Sequence, residues 1–235
     1  MNESHYLPLT PVFFSILVGL FIVLLILIEL RILRYAYMRL GVNSRTAMLL
    51  LFGSLIGSYF NIPIAQLPEQ NVVGGRVIDF FGMEYQVPVL VHSPGTVIAI
   101  NIGGAVIPTL MSLYLLVKYK LWVKGALTTA AVAFVCYTLA YPVPGLGIAI
   151  PSFVPAIATA IAALVLSRDY AAPLAYIAGS LGTLIGADLL NLDKVRGLGA
   201  PIASIGGAGT FDGIFMTGIL AVLLASLTSP RPQAV

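Results

Sequence analysis

Long apolar runs divided by short polar connections constrain the fold of this chain more than any other feature of its sequence. Seven such runs can be drawn, at about 11–33, 46–61, 97–117, 121–140, 148–167, 171–190 and 211–228. A helix rises ~1.5 Å per residue, so roughly 20 apolar residues cross the hydrocarbon core of a bilayer. Backbone polar groups cannot stay unpaired in lipid, which favours helices over open strands. The sequence therefore predicts a single-domain, all-α integral membrane protein, a bundle of about seven transmembrane helices.

The composition supports lipid as the main solvent of this chain. Of its 235 residues, 59% are hydrophobic and only 9% are charged, and the mean hydropathy is +1.01. A soluble domain carries roughly 25% charged residues. The net charge of +3 is small, and membrane topology explains the basic residues better than nucleic acid does. Membrane lipid is the predicted partner, and no nucleic-acid partner is expected.

The Lys and Arg residues are unevenly divided between the connections. Nine lie on one predicted side: Arg31, Arg34, Arg39, Arg45, Lys118, Lys120, Lys124, Arg168 and Arg231. Three lie on the other: Arg76, Lys194 and Arg196. Because cytoplasmic loops are enriched in Lys and Arg, the side with nine basic residues is predicted to be cytoplasmic. The chain is then a multi-pass protein of the cell membrane. Its N-terminus is expected outside the cell and its C-terminus in the cytoplasm.

The segment at about 72–91 differs from the apolar runs. It is rich in β-branched and aromatic residues and has Gly82 near its middle. That pattern predicts a short β-hairpin on the outer face. The hairpin would cover the helix ends, or it would act as a lid or as an edge that receives an extended peptide.

Polar groups within a membrane protein usually face the bundle interior or a water-filled cavity. Four places combine polar residues with glycine or proline in this chain. They are Asn101 with the glycines after it, the segment 141–147 with Pro151 and Pro155 beyond it, the segment 179–191, and the segment 206–215. The predicted topology puts all four toward the outer side of the membrane.

Two aspartates lie at the outer ends of consecutive predicted helices. Asp188 and Asn191 are three residues apart and would share a helix face, while Gly182 and Gly186 form a small-residue edge that admits a neighbouring helix. Asp212 opens the last helix and could face Asp188. If the two carboxylates face each other closely, they would share a proton, so one could act as general base and the other as general acid. Alternatively, Asp212 caps its helix and Asp188 is solvated among headgroups.

Other chemistries lack support in the sequence. His5 and His92 show no metal-ligand spacing, and Cys136 has no basic neighbour that would activate it. Neither a Gly-x-Ser-x-Gly nucleophile motif nor a dinucleotide fingerprint in a βαβ context occurs. No metal and no cofactor are predicted.

Three runs carry a resemblance that covers nearly the whole chain. They are Asn101-Ile-Gly-Gly-Ala-Val-Ile-Pro108, Gly186-Ala-Asp-Leu-Leu-Asn-Leu192 and Gly207-Ala-Gly-Thr-Phe-Asp-Gly-Ile-Phe215. These runs resemble those of a family of uncharacterised bacterial and archaeal polytopic membrane proteins. That resemblance implies a membrane fold and no particular activity.

A more distant similarity concerns the aspartates. Asp188 and Asp212 are similar in arrangement to the two aspartates of the presenilin and signal-peptide-peptidase type of intramembrane aspartyl protease. In those enzymes the second aspartate follows Gly-x-Gly directly, whereas here two residues separate Gly209 from Asp212. Their Pro-Ala-Leu motif follows both aspartates, whereas Pro155-Ala-Ile157 precedes them here. The resemblance implies that Asp188 and Asp212 are catalytic and that Pro155 lies near them.

Three functions follow from these observations. The first is an aspartate-dependent intramembrane hydrolase or protease acting on membrane-embedded peptides, with Asn101 and Asn191 orienting water or substrate. The second is a proton- or cation-coupled transporter or channel in which the aspartates bind a small cation and proline-broken helices provide gating. The third is a structural or assembly factor. The sequence leaves the substrate, the ion and the oligomeric state open.

Overall fold

The chain folds into a mostly helical structure with a small strand component. The computed structural model describes residues 11–68, 70–80, 83–93, 95–143, 147–151, 153–195, 200–207 and 213–229. Within those ranges there are seven α-helices: α1 (Pro11–Arg39), α2 (Ser44–Gly57), α3 (Ile107–Lys118), α4 (Trp122–Leu139), α5 (Val154–Leu166), α6 (Ala171–Thr183) and α7 (Gly213–Ser226). The strands are β1 (Asn61–Gln66), β2 (Gln70–Phe80), β3 (Met83–Ser93), β4 (Val97–Asn101), β5 (Tyr141–Val143), β6 (Gly147–Ala149) and β7 (Ile202–Ile205).

The all-α prediction is wrong at the ends of several helices. The third apolar run begins as strand β4, continues as a π-helical turn over Ile102–Val106, and only then becomes α3. The fifth run begins as β6, and α5 starts at Val154, with Pro155 in its first turn. Proline fits the first turn of a helix because it has no N–H to donate, and it prevents the helix from extending backwards. Short apolar runs suit a buried strand as well as a helix, so hydrophobic pattern alone did not separate them.

Strands β1, β4 and β7 form a sheet that brings together distant parts of the sequence. Strand β4 lies in the middle, antiparallel to β1 and parallel to β7. The hairpin expected near 72–91 is present as β2 and β3, which pair from Gln70 opposite Ser93 to Phe80 opposite Met83. Each of its strands has 11 residues, so the hairpin is longer than predicted. A third, small antiparallel pair joins β5 to β6.

Helix α6 is the centre of the helical packing. Every residue from Ala171 to Ser180 is buried, because α6 contacts α3, α4, α5 and α7. Small residues permit these approaches: a Cβ added to Gly179 would lie 2.9 Å from Gly218 Cα, and one added to Gly182 would lie 2.7 Å from a Val132 methyl carbon. The small-residue edge predicted on this helix is therefore confirmed, and α4 is the helix that packs against it.

Two helical segments are long and apolar enough to cross a membrane, among the helices whose side chains are described throughout. They are Trp122–Leu139 and the continuous helical segment Ala171–Val195. Four other apolar helical segments are shorter, Ser44–Gly57, Ile102–Lys118, Val154–Leu166 and Gly213–Ser226. A seven-span membrane bundle therefore stays a prediction.

One end of the bundle gathers the basic connections. Lys118 Nζ donates a hydrogen bond to the Gly41 carbonyl oxygen at 2.6 Å, and the Tyr119 hydroxyl donates to the Leu40 carbonyl oxygen at 3.1 Å. Arg39 Nη2 donates to the Ser226 carbonyl oxygen at 3.3 Å, which joins the end of α1 to the end of α7. We call this the basic end, defined by residues 39–45, 118–124 and 226–229. The sheet of β1, β4 and β7 lies at the opposite end.

Candidate functional site

Asn101 connects three elements at the sheet end of the bundle. Its side chain is completely buried, at the point where β4 passes into the π-helical turn. Nδ2 donates hydrogen bonds to the Ser58 carbonyl oxygen at 2.7 Å and to Asn61 Oδ1 at 3.1 Å. Oδ1 accepts a hydrogen bond from the Gly104 amide at 2.8 Å, which caps the turn. The side chain thus joins the end of α2, the start of β1 and the start of the helix that follows β4.

Glycines allow the backbone of the turn after β7 to pack directly on the turn after β4. A Cβ on Gly104 would overlap the carbonyl oxygen of Gly206. A Cβ on Gly206 would lie 2.6 Å from the Ala105 amide nitrogen, and Gly206 also has a φ of +92°. Only glycine adopts that conformation without a steric cost and leaves room for the neighbouring backbone. The carboxyl ends of the two parallel strands are therefore fixed against each other.

Asp188 lies beside this junction. Helix α6 continues as a π-helical turn over Leu184–Asp188 and as a 3-10 helix over Leu189–Val195. The half-buried Asp188 carboxylate accepts a hydrogen bond from the Gly206 amide to Oδ2, at 2.7 Å. A bond of this kind, from a backbone N–H to a carboxylate, is stronger than a neutral one and fixes the orientation of the side chain. Single π-helical turns inserted in α-helices are frequent at functional sites.

A cavity of about 240 Å³ opens next to Asp188. Its walls come from the π-helical turn and the 3-10 helix after α6, from β6, and from β7 with the turn after it. The lining residues are Gly147, Ile148, Asp188, Leu192, Val195, Ile202, Ala203, Ser204, Ile205 and Gly207. We call this space the Asp188 cavity. A carboxylate in its wall can accept a proton or bind a cation.

Ser204 links the Asp188 cavity to Asn101. Its Oγ lies 2.6 Å from Asn61 Oδ1 and 2.6 Å from the Gly207 carbonyl oxygen. A hydroxyl carries one hydrogen, so Ser204 donates to one of these acceptors at a time. Asn61 Oδ1 also accepts from Asn101 Nδ2. A continuous set of hydrogen bonds therefore runs from the buried Asn101 to a residue in the cavity wall.

Asn191 serves the helix end that carries Asp188. Its Nδ2 donates to the carbonyl oxygens of Gly186 and Ala187, at 2.8 and 3.1 Å. These bonds satisfy carbonyl groups at the end of the helix, where the regular pattern of hydrogen bonds stops. Asn191 is completely buried, and within the described ranges its Oδ1 has no hydrogen-bond partner. Asn191 therefore supports the backbone that positions Asp188 and does not line the cavity.

The remaining predicted site residues are placed as follows. Pro155 is buried in the first turn of α5, away from the lining of the Asp188 cavity, and its carbonyl oxygen accepts a hydrogen bond from Thr159 Oγ1 at 2.6 Å. Asp212 lies outside the described residues. Of the five side chains predicted for the site, Asp188 is the one found in the cavity wall among the residues that are described.

All four polar places of the sequence contribute to this end of the molecule. Gly104, Gly147, Asp188 and Gly206 represent them, and contacts or a shared cavity connect these residues. The sequence did not indicate Asn61 or Ser204. Asn61 lies at the end of an apolar run and Ser204 lies in a predicted connection, so the sequence pattern did not predict their short strands. Only the pairing of β1 and β7 with β4 brings these two residues to the site.

A comparison with protein families assigns the chain. A family model described as "Protein of unknown function (DUF1614)" matches residues 55–224. The chain belongs to this family. No curated protein and no solved structure matches it.

The DUF1614 match covers every residue of the candidate site. It starts within the last turn of α2, includes the three-stranded sheet and the Asp188 cavity, and ends within α7. Helix α1 lies before the matched residues. The family assignment agrees with the resemblance to an uncharacterised family and supplies no activity.

Proposed function

We propose that the chain is a multi-pass membrane protein, and helix α1 supports this most directly. Val18 and all residues from Leu20 to Ile28 are large, apolar and 40–66% exposed. Nine consecutive exposed residues span more than two helical turns, so every face of this part of α1 is uncovered by the described chain. Left in water, this surface would cost roughly 10 kcal/mol, at about 1 kcal/mol for each half-exposed side chain. That equals the whole stability of many domains, so lipid is the proposed environment.

The basic end is proposed to face the cytoplasm. No acidic residue occurs between positions 30 and 68 or between positions 95 and 168. These two stretches supply eight of the basic residues counted above, at 31, 34, 39, 45, 118, 120, 124 and 168. Hydrogen bonds between the two stretches support their lying on one side of the membrane. The Asp188 cavity, at the other end of the bundle, would then open toward the outer side.

At that end we propose an aspartate-dependent hydrolase. The observation that carries the proposal is the Asp188 carboxylate, fixed by the Gly206 amide at 2.7 Å in the wall of a cavity of about 240 Å³. Preorganised geometry is what a general base requires, because it must reach the proton that it removes. The cavity has room for water and for part of a substrate.

Asp212 is proposed as the second carboxylate. Its chain neighbour Gly213, the first described residue of α7, is placed so that a Cβ would lie 3.4 Å from Ile150 Cδ1. Ile150 packs against the small apolar cluster that contains Ala187, the residue before Asp188. These contacts support an entry into α7 on the same side of the molecule as Asp188.

In the proposed reaction, one carboxylate accepts a proton from water while the oxygen of that water attacks an amide carbonyl carbon. The protonated partner donates to the carbonyl oxygen, which gives a neutral diol. The first residue then returns its proton to the nitrogen as the C–N bond breaks, while the second residue takes a proton from one hydroxyl of the diol, whose oxygen becomes the new carbonyl oxygen. The products are a carboxylic acid and an amine, and the two aspartates again share one proton.

Strand β7 supports a peptide as the substrate. It has β4 on one side only within the described sheet, and all four of its residues line the Asp188 cavity. A strand with an open edge can pair with an extended peptide through backbone hydrogen bonds. A peptide bound there would pass close to Asp188.

Substitution of each aspartate tests the hydrolase. The full chain would be reconstituted in liposomes with a membrane-spanning peptide that carries a fluorophore and a quencher. Asp188→Asn and Asp212→Asn are each expected to lower cleavage by about 100- to 10,000-fold, the usual contribution of a general acid or base. Asp193→Asn is the matched control, because Asp193 is exposed on the same 3-10 helix and does not line the cavity. Cleavage that survives both aspartate changes would overturn the proposal.

Cation-coupled transport is a second candidate, favoured by the interrupted helix at Asp188. Helix α6 changes to a π-helical turn and then to a 3-10 helix around this residue, and interrupted helices form ion sites in transporters. Uptake of a monovalent cation or of protons into the same liposomes, lost in Asp188→Asn without any peptide cleavage in the parent protein, would select this function. If both aspartates tolerate substitution in both assays, the scaffold role is what survives.

A further inference from the structure

At the basic end, a groove separates α2 from α3. It has a volume of about 590 Å³, within the range of roughly 300–1,000 Å³ that is typical of small-molecule sites. Leu50 forms one wall, and Ile107, Leu110 and Met111 form the other. The side chain of Leu110 is 61% exposed, so the groove opens on the lateral surface of the bundle.

The groove changes from apolar to polar along its length. At the basic end the groove is closed by Gly41, Asn43 and Thr46, and Tyr114 lines the groove beside these residues. Lys118 stands at this end, with its Nζ 5.4 Å from the Tyr114 ring centroid. The hydrogen bond to the Gly41 carbonyl oxygen uses one of the three hydrogens of the Lys118 ammonium group. The exposed Arg45 lies between Asn43 and Thr46 in the first turn of α2.

We propose that this groove is a binding site for one anionic phospholipid. An acyl chain would lie along Leu50, Leu110 and Met111, and the phosphate would be bound by Lys118 and Arg45. Charge complementarity argues for an anionic lipid, since neither α2 nor α3 nor the loops that follow α1 and α3 contain an acidic residue. Basic pockets between membrane helices on the cytoplasmic side bind anionic headgroups in this way. The inference rests on the proposed membrane location and is independent of the chemistry at Asp188.

A tryptophan reporter tests the proposal, because the chain has one tryptophan. In a Trp122→Phe background, Leu110→Trp places a fluorophore in the groove. Phe134→Trp gives a control on α4, where Phe134 is 68% exposed and does not line the groove. Both full-length proteins would be reconstituted in bilayers that contain brominated phosphatidylglycerol or brominated phosphatidylcholine, and quenching of fluorescence would be compared.

The groove reporter is expected to be quenched preferentially by the anionic lipid. The apparent affinity should exceed that for phosphatidylcholine by roughly fivefold for each basic side chain that binds the phosphate. Lys118→Gln and Arg45→Gln should each reduce this preference, and Arg45→Lys should keep most of it. Arg34→Gln, an exposed basic residue outside the groove, should not alter it, which separates a local site from the diffuse charge of the basic end. The Phe134→Trp reporter should show no preference.

Several results would overturn the proposal. They are equal quenching of the groove reporter by the two lipids, equal preferences at the two reporters, or a groove reporter that neither lipid quenches while the control is quenched. The last result would mean that protein, such as a second copy of the chain, fills the groove. If Leu110→Trp does not fold, as judged by circular dichroism and gel filtration, Tyr114→Trp replaces it. Asp188→Asn should leave the lipid preference intact, so the hydrolase and the lipid site succeed or fail separately.

Discussion

Single glycines determine how closely the backbone can approach at the candidate site. Gly104 and Gly206 are in backbone contact, and Asp188 accepts its hydrogen bond from the Gly206 amide. A side chain at either glycine would push apart the two turns that follow β4 and β7. The geometry of Asp188 therefore depends on residues that carry no chemistry of their own.

Replacement of Gly206 by alanine should be strongly destabilising. The Cβ would lie 2.6 Å from both the nitrogen and the Cβ of Ala105, and the φ of +92° disfavours any side chain. We expect a loss of about 3 kcal/mol or more in the free energy of unfolding, measured by titration of detergent micelles with a denaturing detergent.

Gly53→Ala is the matched control for that measurement. Gly53 lies inside α2, and its added Cβ would meet only the Ile107 Cδ1 atom at 3.6 Å, an ordinary contact. Alanine should stabilise this helix by up to about 1 kcal/mol, because glycine is a poor helix former. A Gly206→Ala protein as stable as the parent would contradict the close packing of the two turns.

At the level of elements, Asn101 shows how a polar residue can organise strands and helices. It lies where β4 becomes helical, and its three hydrogen bonds reach α2, β1 and the following turn. Two of the partners, the Ser58 carbonyl and the Gly104 amide, are buried backbone groups, and the third is the side-chain amide oxygen of Asn61, which also accepts from Ser204. This makes Asn101 a positioning residue for the sheet and explains why it does not face the Asp188 cavity.

Asn101→Ala is expected to cost about 3 kcal/mol of unfolding free energy, since it removes three hydrogen bonds and leaves the buried Ser58 carbonyl group without this donor. Asn43→Ala provides the comparison. Asn43 caps α2 through one bond to the Thr46 amide, at 2.8 Å, on the exposed surface. Its loss should cost about 1 kcal/mol. Equal effects of the two changes in the same unfolding assay would remove the organising role of Asn101.

For the whole molecule, the separation of its two ends is the main feature. The basic end holds the loops after α1 and α3, and the sheet end holds Asp188. If the bundle crosses a membrane, these ends lie on opposite sides. Helix α1 is joined to the rest at the basic end by Arg39, while its middle part exposes apolar side chains in all directions.

Labelling of introduced cysteines tests this arrangement. In a Cys136→Ser background, Lys120→Cys should react with an impermeant maleimide only when the cytoplasmic side is open to the reagent. Gln66→Cys, in the exposed strand β1, should react in intact cells or sealed right-side-out vesicles. The native Cys136 is buried and is removed only to exclude background. Labelling of both positions from the same side would overturn the proposed topology.

The sequence by itself determined the apolar helical segments, the hairpin, the small-residue edge of α6 and the general location of the polar places. Those features depend on local composition and periodicity, which a single chain displays directly. The tertiary structure decided the rest: the parallel pairing of β4 with β7, the contact between Gly104 and Gly206, and the hydrogen bond from Gly206 to Asp188. Asn61 and Ser204 meet across more than a hundred residues of sequence, and only the strand register brings them together. Contacts of this kind depend on how the elements pack against one another, and no local pattern in the sequence encodes them.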